Sequence, residues 1–239
     1  PDGRTIDMSF MVYERSMGGI GYAIGYIRSP DAGKTWQRGD GEEITLPATP
    51  QAIEIVDGAP KPQGPTNFRP GNIALDGDGV PWVIYSRLDK DPFEAWIAKR
   101  TKAGKWRKVP LLPIIRQKWK DRGVKTPGSI VFAKDGTMYV AVETVISGTG
   151  DELAFWGHPS TEVALLVSKD GGKTFDLFAV SRPDASLASC LTNLERPTRA
   201  ESIGIPALIY THGSRGNTNK EIMSNQVIWC DIARLIAPN

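Results

Sequence analysis

Arginines, tyrosines and carboxylates recur beside the β-rich runs of the sequence: Tyr13, Glu14 and Arg15; Asn67 and Arg69; Tyr85 and Arg87; Arg122; Glu143; Glu195, Arg196 and Arg199; Tyr210 and His212. Arginine stands out because its planar fork holds a carboxylate through two parallel hydrogen bonds. Arg15, Arg69, Arg122 and Arg196 each lie next to an expected inner strand or a crossing between repeated units. At least two of them are therefore expected to face one pocket that favours a carboxylate-bearing sugar. The competing reading for any single arginine is a salt bridge on the surface or between units, which is worth little. His158 and His212 stand in no metal-ligand spacing. The sequence has no Gly-rich phosphate loop, C-x-x-C pair or nucleophile elbow. No cofactor is expected, and a structural calcium stays open.

The elements that must position these residues show themselves by repetition. Residues 29–36, Ser-Pro-Asp-Ala-Gly-Lys-Thr-Trp, return at 168–175 as Ser-Lys-Asp-Gly-Gly-Lys-Thr-Phe. Each copy follows an apolar run, Ala23–Ile27 and Val163–Val167, which places it on the turn between two antiparallel strands. There a short Asp accepts bonds from turn amides, Gly supplies a left-handed backbone, Thr adds a hydroxyl bond and the aromatic ring packs beneath. Ser29, Asp31, Gly33, Thr35 and Trp36, with Ser168, Asp170, Gly172, Thr174 and Phe175, are accordingly read as structural. Hairpins are expected at 23–38 and 163–178.

A second register repeats beside the first. Asp2-Gly3, Asp78-Gly79 and Asp135-Gly136 each precede a β-rich run, namely Thr5–Tyr13, Pro81–Tyr85 and Thr137–Val142. One unit becomes strand A, an Asp-Gly turn, strand B, a loop, strand C, the Asp-containing turn and strand D. Such units fall at about 1–45, 66–112, 122–182 and 190–235. The second has a decayed motif, Lys102-Ala103-Gly104-Lys105-Trp106, the fourth has none, and the first lacks its strand A. Segments such as Pro113–Asp121 and Ile232–Leu235 have room for a turn or two of helix, no more.

The paired Ser-x-Asp-x-Gly-x-Thr-aromatic motifs look like the Asp-box, or BNR, repeat, and the chain resembles the sialidase-like β-propellers. The resemblance implies an all-β fold of four-stranded antiparallel blades, about three and a half to four in this chain, within a six- or seven-bladed propeller. It places the boxes on outer hairpins, away from the central pocket. It also implies a single propeller domain or the C-terminal portion of one, completed by missing N-terminal blades or by self-association. Most of residues 1–110, from Asp2-Gly3-Arg4-Thr5-Ile6 through Tyr13-Glu14-Arg15 to Trp96-Ile97-Ala98-Lys99-Arg100, is similar to a narrower group. That group contains neuraminidase-like proteins, ulvan-type polysaccharide lyases and enzymes acting on rhamnose–glucuronate linkages.

In the lyases of this group a tyrosine or histidine removes the proton beside a uronate carboxyl while an arginine neutralises that carboxyl. By position, Arg15 matches the neutralising arginine and Tyr13 is the tyrosine beside it; Asn67, Arg69, Arg122 and Arg196 are the substrate-binding candidates. The family's own tyrosine and histidine would lie before residue 1. Where members of the group often carry an Asn-His pair ahead of the box, this chain has Gly21-Tyr22. The sialidase signature Phe-Arg-Ile-Pro appears only as Phe68-Arg69-Pro70-Gly71. The implied function is binding of, or elimination at, acidic glycans. A sialidase-like or rhamnosidase-type hydrolase and a non-catalytic glycan- or protein-binding propeller are the alternatives.

Composition sets the outer limits. A chain of 239 residues, 40% hydrophobic and 8% aromatic, can bury one large core. A net charge of +2 from 29 basic and 27 acidic residues provides no global field for nucleic acid or an anionic membrane. Cys190 and Cys230 permit one disulfide without requiring it. A secreted or periplasmic location is expected for a protein acting on polysaccharide.

Overall fold

A computed structural model describes residues 3–15, 20–64, 66–148, 157–184, 186–197, 203–214 and 224–237; Asp2 and Arg199 lie outside the described residues. The fold is all-β, built as four antiparallel sheets. The first holds β1 (Ile6–Glu14), β2 (Ile20–Ser29) and β3 (Glu54–Gly58). The second holds β4 (Phe68–Leu75), β5 (Pro81–Arg87), β6 (Glu94–Arg100) and β7 (Trp106–Pro110). The third holds β8 (Arg122–Phe132), β9 (Met138–Ile146), β10 (Glu162–Ser168) and β11 (Asp176–Ala179). The fourth holds β12 (Ala188–Leu194), β13 (Ala207–Gly213) and β14 (Asn225–Asp231). Two short helices, α1 (Leu112–Lys118) and α2 (Ile232–Ile236), follow β7 and β14. Neither helix is long and apolar enough to cross a membrane.

The sheets stack face to face in chain order, because the central strands present apolar side chains toward the neighbouring sheets. Ile24, Tyr26 and Val56 of the first sheet meet Phe68, Val83 and Tyr85 of the second. Trp82, Ile84 and Ile97 meet Ile130, Val140 and Leu166 of the third. Val131, Tyr139 and Leu165 in turn meet Leu194 and Leu208 of the fourth. Burying such side chains stabilises each layer by roughly 1.5–3 kcal/mol per residue. Cys190 and Cys230 are free thiols; they sit on β12 and β14, with β13 between them.

The two boxes have the geometry their residue types require. Ser168 Oγ accepts the Gly172 amide at 2.9 Å and donates to Asp170 Oδ1 at 2.9 Å. Asp170 also accepts the Thr174 amide and hydroxyl, at 3.0 and 2.6 Å. Asp31 does the same for Thr35, with both bonds at 2.8 Å. Gly33 and Gly172 take the left-handed backbone, at φ 89° and 77°. In the decayed copy Thr101 stands where Asp31 stands, and its hydroxyl accepts the Lys105 amide at 3.1 Å.

The expected hairpin at 23–38 is not a simple one. Gln37 makes single bridges to Arg28 and to Glu43, and the strand that pairs along β2 is β3, residues 54–58. The intervening segment leaves the sheet because Ile44 and Ile53 bury themselves over Val12, Tyr22, Ala23 and Ile27. Glu54 ties down the return, accepting from Gly39 N (2.8 Å), Arg100 Nε (2.9 Å) and Trp106 Nε1 (2.7 Å). The 163–178 hairpin forms as β10 and β11.

Replacing Glu54 by Ala leaves the mostly buried Arg100 without its counter-charge, so unfolding free energy in urea should fall by about 3–5 kcal/mol. The box carboxylates give a pH signature. Hydroxyl and amide donation from Thr174 holds the Asp170 carboxyl well below its ordinary value of 3.8. A depressed folded-state pKa means that the stabilisation is complete above the unfolded value and is lost as pH falls through the folded one. The stability difference between the natural chain and Asp170→Asn should therefore be constant near neutrality. It should shrink below about pH 4 in acid-titrated thermal melts.

Candidate functional site

The innermost strands β4, β8 and β12 are each interrupted by a bulge, at Pro70/Ile73, Lys125/Ser129 and Cys190/Asn193. In the first two, the bulge falls on the Pro-Gly-x-Ile pattern. Gly71 allows the strands to approach, since a Cβ there would lie 2.7 Å from the Gly128 carbonyl oxygen. The next residue bridges the sheets. Asn72 donates to the Ile130 carbonyl at 2.9 Å and accepts the Ile130 amide at 2.7 Å, which copies a backbone ladder across two separate sheets. Ser129 repeats the move by donating to Asn193 Oδ1 at 3.3 Å, and Arg196 reaches the same oxygen at 3.2 Å.

These strands enclose a cleft of about 770 Å³ at the end where the Gly-containing turns lie. A recess of about 360 Å³ continues from it and shares Asp7, Asn72, Ile73 and Arg196 with it. Arg28 on the wall is paired with Asp7 at 3.1 Å. Thr192 lines the recess; its hydroxyl is buried without a hydrogen-bond partner among the described residues.

The opposite end of the inner strands carries most of the other candidates. Tyr13 lies opposite Gly21 in the β1–β2 ladder, and Thr66 donates to the Gly21 carbonyl at 3.3 Å. A Cβ on Gly21 would lie 2.5 Å from the Phe68 carbonyl oxygen. The end of β1 thus abuts the start of β4, bringing Tyr13 and Arg15 to the same end as Asn67 and Arg69. Tyr13 is 57% exposed and Arg15 is exposed. Asn67 caps the strand pair by accepting the Leu88 amide at 3.0 Å through its carbonyl. Burial works against the charge of Arg69, which is half-buried.

Arg122 and Arg196 are placed differently. Arg122 is buried and donates to Thr144 Oγ1 at 3.0 Å and to the Ser160 carbonyl at 2.8 Å. Burial lowers its pKa, while Glu162 and Asp121 support its charge. Arg196 opens onto the cleft at the turn end. The four arginines therefore do not converge on one point: Arg15 and Arg69 share one end, Arg196 lines the other, and Arg122 is engaged by its own sheet. Lys125 and Asn72, which were not among the candidates singled out by sequence, also matter; Glu143 was among them. Lys125 and Glu143 form a buried ion pair at 3.5 Å; burial pushes the Glu143 carboxyl up, and Lys125 and the Leu191 amide oppose that. The Leu191 amide bonds Glu143 at 2.6 Å and holds Leu191 at φ 55° in the β12 bulge. The clue to Lys125 was a lysine inside an otherwise apolar or small inner strand, and to Asn72 an amide amid aliphatic residues.

Residues 1–112 match the model of a BNR repeat-containing family. No curated protein matches the chain by sequence. Among solved structures the fold is shared with an ulvan lyase from a new family of polysaccharide lyases, bound to a glucuronate–rhamnose-3-sulfate chain. The two superpose with a TM-score of 0.61 at 13% identity, over 98% of this chain and 52% of the lyase. A protein of unknown function from Dyadobacter fermentans matches with a TM-score of 0.54 at 16% identity, over 98% of this chain and 59% of that one. The chain thus spans about half the length of the lyase whose fold it shares.

Gly21 is a sharp test of how tightly the candidate end is built. Gly21→Ala drives a methyl into the Phe68 carbonyl and the Met11 side chain. It should destabilise the protein by about 1–3 kcal/mol, read from denaturant unfolding.

Proposed function

We propose that the chain is part of a carbohydrate-active propeller that binds carboxylate-bearing glycans and eliminates at a uronate. The observation that carries this reading is the junction of β1 with β4, which sets an exposed tyrosine and arginine at the same end as an asparagine and a second arginine. The fold shared with a glycan-bound lyase supports it.

In this reading Arg15 neutralises the substrate carboxylate, which makes the neighbouring carbon acid strong enough to lose its proton. The Tyr13 phenolate takes that proton, the electron pair forms a carbon–carbon double bond, and the glycosidic oxygen on the adjacent carbon leaves, taking a proton from water. A free tyrosine has a pKa of about 10, so cations such as Arg15 and Arg69 must favour the phenolate when substrate is bound. Asn67 and Arg69 orient the sugar. A polymeric substrate fits a secreted or periplasmic protein.

Binding of acidic glycans without turnover is the second reading, and one local feature favours it. Gly21 has no space for a side chain, and its neighbour Tyr22 is buried, which raises its pKa. Neither position offers a second proton carrier at that end.

Offering ulvan or gum arabic beside neutral glucans separates the possibilities. Elimination creates an unsaturated uronate that absorbs in the near ultraviolet, and Tyr13→Phe should slow its appearance by about 10²-fold or more. Calorimetric binding without absorbance selects the binding-only reading. Equal affinity for neutral glucans removes the role given to the arginines.

A further inference from the structure

The recess that continues from the cleft has one side built from β4, β8 and β12. The polar side chains on that side divide into those already satisfied and those with capacity left over. Asn72 uses both its oxygen and its NH2 group on Ile130. Asn193 Oδ1 accepts from Ser129 at 3.3 Å and from Arg196 at 3.2 Å. A guanidinium donates and cannot accept, so the oxygen of Asn193 must be the atom turned toward Arg196. Its NH2 group is then left on the other branch, with no partner among the described residues. Arg196 makes only that one bond among the described residues; the acid beside it, Glu195, accepts the Ala207 amide instead. Thr192 is 3% exposed, and its hydroxyl is buried without a partner among the described residues.

The backbone is bent to bring these groups together. Cys190 faces Thr211 and Asn193 faces Ile209, so Leu191 and Thr192 together stand against Tyr210. Leu191 takes φ 55°, a conformation that costs energy for any residue with a bulky side chain. Its amide is tied to Glu143, and Glu143 to Lys125. A buried ion pair therefore holds the bulge in place, and a bulge re-aims the side chains it carries. The groups left over here, the Arg196 guanidinium, the Asn193 NH2 and the Thr192 hydroxyl, can all donate. A neutral sugar brings hydroxyls that need acceptors as well as donors, whereas a deprotonated oxyanion only accepts. Asp7, on the other side of the recess, is held by Tyr26 and Arg28, so its charge is already compensated.

We propose that this recess binds an oxyanion, a carboxylate or sulfate group, through Arg196, Asn193 and Thr192. At about 360 Å³ it has room for a small acid or for one acidic sugar residue. None of Tyr13, Arg15, Asn67 and Arg69 lines it, so the site stands whether or not a glycan is eliminated at the other end of the strands.

The test titrates acetate, sulfate, glucuronate and glucose into the protein at constant ionic strength set with chloride, and follows the side-chain N–H signals of Arg196 and Asn193 by nuclear magnetic resonance. At least one of the three oxyanions should move both signals saturably, and glucose should move neither. Arg196→Gln and Thr192→Val should each weaken that binding by about tenfold, the worth of a hydrogen bond to a charged group. Thr192→Val also separates a ligand role from a structural one. Removing a hydroxyl that has no protein partner should leave the urea midpoint unchanged or raise it, while the affinity for the anion falls. Glucuronate binding more tightly than acetate assigns the anion to an acidic sugar, and equal binding assigns it to a free small acid. The inference is overturned if all three oxyanions leave the signals in place, or if glucose moves them equally. It is also overturned if the two variants bind the anion as the natural chain does.

Discussion

The bridge from Asn72 to Ile130 is the interaction on which the arrangement of the sheets depends. Two antiparallel sheets stacked through apolar side chains are normally held about 10 Å apart, and nothing in that contact fixes their relative slide. At the inner edge Gly71 removes the Cβ that would block the Gly128 carbonyl, and the bulge turns the Asn72 amide toward the next strand. Two hydrogen bonds then set the register between sheets as a ladder sets it within one. Ser129 and Asn193 repeat the device one sheet further on. The inner strands are thereby held close enough to enclose the cleft.

The outer parts of the sheets are joined by a different means, which explains why acids are buried there. Glu54 binds Arg100 and Trp106 of the second sheet, and Asp57 binds Tyr85 and Lys108. Each acid sits on β3, the strand displaced to 54–58 by the segment over the first sheet. Burial raises the Tyr85 pKa, and the Asp57 carboxylate adds to the rise, so this phenol keeps its proton and donates it to Asp57. Asp7 fixes Tyr26 in the same way. Glu54 and Asp57 thus use charge to align the first sheet with the second.

How much of this was legible follows from which forces leave a local trace. The hairpins β4–β5, β8–β9 and β10–β11 could be read because turn chemistry is local: an Asp-Gly pair or a box fixes a reversal wherever it stands. The displacement of β3 could not, because Ile44 and Ile53 choose their partners through tertiary packing and not through spacing. For the same reason Arg122, which flanks an inner strand as Arg69 does, could not be told apart by sequence. Its fate is decided by Thr144 and by Ser160, 38 residues away. Lys125 and Glu143 are separated by 18 positions and become a pair only because β8 and β9 lie opposite each other.

The two ends of the inner strands are therefore under different constraints. At the turn end three of the units repeat the same backbone solution, so Gly3, Gly79 and Gly136 share one conformation. At the other end the strands finish in unlike residues: Tyr13 and Arg15, Arg87, Arg122, and the buried Glu143 and Thr144. A scaffold that fixes strand ends by main-chain bonding can vary the side chains they carry and so change its chemistry without refolding. That is why the repeated motifs mark an all-β fold of antiparallel sheets from a few residues, while the proposed reaction rests on Tyr13, Arg15, Asn67 and Arg69.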